Sequence, residues 1–285
     1  MAKPVPRYNP PQIDDLKDKT GEIIAGFNQY VASLPEGSKA RQTLERNGTF
    51  TRAQDGTVMH SSDFKNIVLA RYFPAGMQLA GLRDFARFYN GNEEEAGGVY
   101  RDPGLIFKAK GSDSYMKAVI AEELKRHGFK QARLRYPQAI PLSALNVKVD
   151  ENPNNPFGFR YVLMDNSQVV DAPMFSPNAP AKTFDKWNEE TGLPELVEGE
   201  RLRICTSNLG LTGLCVGGGW GAGSGGGDLV NSNENGRVLV VTGEACSQKS
   251  FAAAIENEKR NYARRLDALI RRLQEQRTIL YITRR

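Results

Sequence analysis

From Ser250 to Tyr281 the chain contains no glycine or proline, and all 28 Gly and 15 Pro fall before that run. A helix needs an unbroken series of backbone N–H groups and avoids residues of high backbone entropy, so this segment is the place for a long helix. Everything upstream is punctuated into short elements and loops. Within the final segment Tyr262, Leu266, Leu269, Leu273, Gln276 and Leu280 alternate steps of four and three, the spacing of a coiled-coil seam with one polar interruption. Arg264, Arg265, Arg271, Arg272 and Arg277 flank or oppose that stripe. The pattern predicts a helix that docks through leucines while offering guanidinium groups to carboxylates or phosphates. Packing on its own domain, with the arginines merely solvated, is the alternative use of the same helix.

Charge follows the same division. The whole chain carries a formal +5, and residues 251–285 alone hold nine Lys/Arg against four Asp/Glu, so the first 250 residues sum to zero. Residues 108–135 are basic, with eight Lys/Arg against three acids, and residues 136–200 acidic, with ten acids against four Lys/Arg. Such segments attract nucleic acid, acidic proteins or one another between copies, because long-range Coulomb attraction does not choose a partner. A length of 285 residues with 40% hydrophobic and 25% charged residues is globular rather than disordered. No apolar run approaches the eighteen or so residues that span a bilayer, and the start lacks the apolar core of a secretory signal. Cys205, Cys215 and Cys246 cannot pair completely and form no Cys-x-x-Cys unit, so reduced thiols and an intracellular setting, cytoplasmic or virion-associated, are expected.

Along the chain, Pro4, Pro6, Pro10 and Pro11 predict an extended arm over 1–12. Apolar spacing from Ile13 to Leu34 predicts a helix, followed by one over Ser38–Arg46 and a hairpin over Thr49–Ser61 turning at Asp55-Gly56. Helices are expected over Asp63–Tyr72, Met77–Tyr89 and from Ser112 or Asp113 to His127, with Gly128 as the stop. Val99–Lys110 reads as a strand pair around Asp102-Pro103-Gly104, and Phe129–Tyr136 as a strand with Gln131, Arg133 and Arg135 on one face. Eight of the prolines fall in 137–194, leaving a hairpin over Phe159–Val170 and a short helix from Thr183 that carries Trp187. Strands over Arg201–Thr206 and Arg237–Thr242 follow. The expected organisation is the arm at 1–12, an α+β domain at 13–136, a Pro-rich acidic connection at 137–200, a Gly-rich β region at 201–249 and the basic helix at 250–285. The fold class expected is α+β, mixed helices and short antiparallel strands with a long C-terminal amphipathic helix.

Two glycine motifs bear on chemistry. Ten glycines lie between 210 and 227, and Gly221, Gly223 and Gly226 meet the G-x-G-x-x-G spacing, but a loop-forming stretch follows where a phosphate cradle needs a helix N-terminus. A mobile or close-packed loop is the reading, with Trp220 as either its anchor or an interface residue. Gly243 to Ser250 resembles a Walker A loop, with Gly243, Lys249 and Ser250 in register but Gln248 in place of the second glycine. If that loop functions, Lys249 contacts phosphate and Ser250 the metal. His60 and His127 are too few for a histidine metal cluster, and His60 beside Ser61 and Ser62 does not form a triad on one strand face. Glu93 to Glu95 read as a solvated loop.

The sequence therefore points to a non-catalytic assembly or interaction protein, virion-like or intracellular, that self-associates or joins a larger complex. Its interaction residues are Trp220, Tyr262, Leu266, Leu269, Leu273 and Leu280. Nucleic-acid binding through Arg133, Arg135 and the terminal arginines, with Tyr136 and Trp220 stacking, is the second reading, and a nucleotide enzyme at 243–250 the third. The first two readings require neither a cofactor nor a metal.

Overall fold

The computed structural model describes residues 11–92, 99–110, 114–130, 134–165, 167–176, 178–179, 183–197, 202–206, 210–217, 221–224, 229–230 and 233–243. Among these described residues strands dominate. Eight of them form one sheet: β5 (Arg101–Phe107), β6 (Gln138–Pro141), β9 (Val170–Asp171), β10 (Thr183–Asn188), β11 (Leu193–Leu196), β12 (Leu202–Thr206), β13 (Leu211–Gly217) and β14 (Gly221–Ser224). Their spatial order is β11-β10-β12-β14-β13-β5-β6-β9, and the sheet curls as a half-barrel. The β12–β14 pair is parallel and the other pairs in this sheet antiparallel.

A second sheet joins the two ends of the described chain. β1 (Gln12–Asp15) and β4 (Met77–Leu79) flank β15 (Leu239–Thr242), with Gln12 opposite Thr242 and Asp15 opposite Leu239. Two hairpins complete the strands, β2 (Thr51–Arg52) with β3 (Val58–Met59) and β7 (Leu145–Val149) with β8 (Phe159–Leu163). Five α-helices are described: α1 (Glu22–Ser33), α2 (Lys39–Glu45), α3 (Asp63–Leu69), α4 (Leu82–Gly91) and α5 (Tyr115–Arg126). None exceeds 12 residues. Residues Gln12–Thr242 form one compact unit. The expected α+β balance is thus corrected to a mostly β fold, and the long C-terminal helix falls on residues 250–285, outside the described residues.

The large sheet is covered on both sides. Leu105 and Phe107 of β5 join a cluster with Phe27, Phe64, Ile120 and Tyr161, while Ile106 between them joins Phe184, Trp187, Ile204 and Leu214. Successive side chains on a strand point to opposite faces, so a strand buried on both faces reads as a continuous apolar run rather than an alternation.

Several expected elements change type. Val99–Lys110 is a single strand from Arg101, not a pair turning at Pro103-Gly104, because Gly104 lies flat against β6. A Cβ at Gly104 would come within 2.4 Å of the Ile140 carbonyl oxygen. The glycine-rich loop over 210–227 contains two central strands, β13 and β14. Gly221 there has φ +89°, and a Cβ on it would meet the Arg203 carbonyl oxygen at 2.5 Å. Glycine here serves close backbone approach inside a sheet. Trp187 sits in strand β10, where Phe184 and Trp187 are both buried on either side of a register shift. Residues 12–15 pair as a strand, and helix α1 begins only after Gly21, which adopts a left-handed conformation. Met77–Leu79 is likewise a strand, with helix α4 starting at Leu82. Of Phe129–Tyr136, the described residues 129–130 and 134–136 are not in a strand, and pairing begins at Gln138, just past Pro137, which has no N–H to give a ladder.

Candidate functional site

Ionisable groups inside the fold gather around the start of β5, where Arg101 and Asp102 are neighbours that serve different surroundings. On the Asp102 side, the chain enters helix α3 through Ser61 and Ser62. Seven consecutive residues of α3, Asp63 to Leu69, are buried, including Asp63, Lys65 and Asn66. A helix enclosed on all sides is ordinarily apolar throughout, so its two charged residues need internal partners. Ser61 Oγ donates to Asp102 Oδ2 at 3.0 Å, and the Lys65 ammonium donates to the Gly48 carbonyl. Asp63 Oδ1, Ser62 Oγ and the Tyr161 hydroxyl are buried without a hydrogen-bond partner. The Tyr161 ring stacks on Phe64 with centroids 4.6 Å apart.

Gly213 of β13 explains how the Asp63 carboxyl fits. A Cβ at Gly213 would lie 2.9 Å from Asp63 Oδ2, so the sheet yields that space to the acid. Pairing of β13 with β5 shifts register between Leu214 and Val216, a bulge in β5 that sets Asp102 and Pro103 opposite Cys215. The Cys215 Sγ donates to the Gly223 carbonyl at 3.3 Å.

Burial sets the protonation of this cluster. Loss of hydration, reinforced by the charge of Asp102, raises Asp63 well above the usual carboxylate range. Burial also pushes Asp102 up to about 6, against hydrogen bonds from Tyr100 and Ser61 and the charge of Lys65. Burial lowers Lys65 to about 8, with Asp102 opposing. The Cys215 thiol is pushed up to about 12, chiefly by burial and then by Asp102 and Asp63, which leaves it protonated and a poor nucleophile at neutral pH. Burial thus disfavours the charged forms of Asp63, Asp102 and Lys65 alike, and Asp102, pushed up to about 6, is the group of the cluster set to take up a proton just below neutrality. Among the described residues no group of three or more His, Cys, Asp and Glu side chains is arranged to hold a metal ion.

On the Arg101 side, Asp15 of β1 accepts from Arg101 Nε at Oδ1 and from Arg101 Nη2 at Oδ2, both at 2.8 Å, and from Arg237 Nη1 at Oδ2 at 3.1 Å. The Arg101 guanidinium also lies over the Phe88 ring, 4.7 Å from its centroid. This triad ties the large sheet to the small one through charge, whereas the two clusters above tie the layers through apolar contact.

The residues nominated from sequence are distributed elsewhere. Arg135 is exposed, with its guanidinium 5.3 Å from the centroid of the half-exposed Tyr136 ring. Gly243 follows β15 with φ +148°. Arg133, Trp220, Lys249, Ser250, Tyr262, Arg264, Arg265, Leu266, Leu269, Arg271, Arg272, Leu273, Arg277 and Leu280 lie outside the described residues. Reading by sequence missed Asp15, Asp63, Lys65, Arg101, Asp102 and Arg237. Of these only Asp63 and Lys65 carry a sequence signal, the run Ser61-Ser62-Asp63-Phe64-Lys65 that sets acid and base within one helical turn of apolar residues.

No family model, curated protein or solved structure matches the chain. No helix among the described residues is long and apolar enough to cross a membrane.

Proposed function

We propose that the protein is a non-catalytic subunit of a larger assembly, holding copies of itself or a partner protein through the Pro-rich arm and the basic, leucine-bearing C-terminal segment. The observation that supports this reading is the pairing of β1 with β15. Gln12 and Thr242 are opposite each other in that ladder, so the folded unit emits its leading and trailing segments from one point. Two contact segments leaving one subunit from adjacent points would multiply weak contacts by effective concentration. An intracellular or particle-associated setting accords with that role. The test is the solution mass of the full chain by light scattering, compared with a variant in which Arg264, Arg265, Arg271 and Arg272 become Glu. The full chain is expected to exceed its monomer mass and the variant to fall toward it. A monomeric full chain, or equal masses, overturns the reading.

The exposed Arg135–Tyr136 pair favours nucleic-acid binding as a second reading, because a cation over an aromatic face is a platform on which a base can stack. Under that reading binding to single-stranded nucleic acid weakens steeply with salt, and Arg135→Ala lowers the salt slope by about 1. Salt-independent or undetectable binding removes it.

A further inference from the structure

Strands β12, β14 and β13 lie side by side at the glycine-rich centre of the large sheet, and their registers align two rows of residues. Ile204, Ala222 and Val216 form one row, and all three belong to the cluster that holds Phe184 and Trp187. Cys205, Gly223 and Cys215 form the next row. Successive residues of a strand point to opposite faces, so both cysteines project from the face away from that cluster, on either side of a residue with no side chain. The Cys215 sulfur reaches toward β14, 3.3 Å from the Gly223 carbonyl oxygen. The two thiols are close enough to interact electrostatically. Cys205 is exposed and Cys215 half-buried, so the row opens to solvent at one end.

Spacing decides what the pair can share. Two strand separations place the Cα atoms about 9.5 Å apart, beyond the roughly 6.8 Å upper limit of a disulfide. A linear sulfur–metal–sulfur unit, with bonds of about 2.3 Å, sets its sulfurs about 4.6 Å apart, where a disulfide sets them at roughly 2.05 Å. That longer link extends the tolerated Cα separation to about 9.4 Å, which matches the row. Cu(I), a soft ion with a filled d shell, accepts two thiolates in this way, and thiolate ligands select it. Zn²⁺ asks for four ligands, and among the described residues no third His, Cys, Asp or Glu joins the pair in a metal-holding arrangement. The surroundings suit a cation. Burial, and then Asp102 and Asp63, oppose a bare thiolate at Cys215, but the same acids favour a thiolate that carries positive charge. The Tyr100 hydroxyl, hydrogen-bonded to Cys215, supports its anionic form.

We propose that Cys205 and Cys215 form a two-coordinate binding site, across Gly223, for one thiophilic ion of the Cu(I) class. Capture exchanges two thiol protons for the ion, so affinity should rise about a hundredfold per pH unit while both thiols begin protonated. The site lies within the unit 12–242 and does not depend on the assembly reading. The experiment uses the full-length chain carrying Cys246→Ser, which removes the third cysteine of the sequence, reduced with a phosphine and kept free of oxygen. Cu(I) is supplied as its bicinchoninate complex, whose loss of absorbance reads transfer to the protein. Transfer of one Cu(I) per chain is expected, with two sulfur neighbours in the X-ray absorption spectrum. Adding Cys205→Ser, at an exposed position, should weaken capture roughly a hundredfold and leave the metal-free thermal midpoint unchanged, and Cys215→Ser should weaken it as much. No transfer to the Cys246→Ser chain, undiminished transfer after either further substitution, or equal occupancy by Zn²⁺ overturns the site.

Discussion

Replacing Asp102 with Asn should flatten the dependence of stability on pH between about 4 and 7. In the folded protein burial holds this carboxyl near 6, against an ordinary value of 3.8. The native state therefore binds more protons than the unfolded chain across that interval, and stability must fall as pH rises through it. The penalty is absent below 3.8, where both states are protonated, and complete above about 6. A shift of about two units corresponds to roughly 3 kcal/mol, taken as an upper figure because Tyr100, Ser61 and Lys65 interact with the same group. Asn keeps an acceptor for Ser61 but cannot titrate. It also removes the charge that helps keep Lys65 protonated, so absolute stability at neutral pH is a mixed quantity and the slope is the clean one. Urea denaturation of both proteins at half-unit steps from pH 4 to 8 gives the two curves. Their difference should grow by up to about 3 kcal/mol between pH 4 and 7, in favour of the variant as pH rises. Parallel curves would refute the claim that Asp102 is charged at a cost inside the fold.

Two further substitutions probe the frame around it. Gly104→Ala places a methyl 2.4 Å from the Ile140 carbonyl oxygen and 3.0 Å from Pro141 Cα, so β5 and β6 must separate. A loss of about 3 kcal/mol, at the upper end of overpacking penalties, is expected in chemical denaturation, and an unchanged midpoint would show that the two strands do not approach so closely. Asp15→Asn strips the carboxylate from Arg101 and Arg237 and should destabilise by about 3–5 kcal/mol, the range for breaking a buried pair, with a lowered thermal midpoint as the readout.

Local signals in the sequence succeeded where the deciding interaction was itself local. Ser38 caps α2 by accepting from the Arg41 N–H, Gly56 supplies φ +88° in the β2–β3 turn, and α5 stops at Gly128 with φ +88°. Each of those residues acts within a few positions of itself. The failures share a different cause. Pro103-Gly104 looks like a turn until β6 is placed against it, and the glycines of β13 and β14 look like a loop until Asp63 and Arg203 fill the space their missing side chains leave. Nothing in the order of residues marks α3 as enclosed on every side, since its apolar positions resemble those of any half-buried helix. The internal ion groups were illegible for the same reason: Asp15, Arg101 and Arg237 are brought together by strand pairing across more than two hundred positions.

The ladder between the first and last described strands also dictates when the fold can be finished. Some 220 residues separate Asp15 from Leu239, so at synthesis rates of about 5–20 residues per second β1 waits roughly ten to forty-five seconds for its mate to leave the ribosome. Until then Arg101 and Asp15 have no closed sheet to hold them, and the nascent chain presents an edge open to wrong pairing. Late closure should make folding slow for its size, because its decisive contacts are the most distant ones.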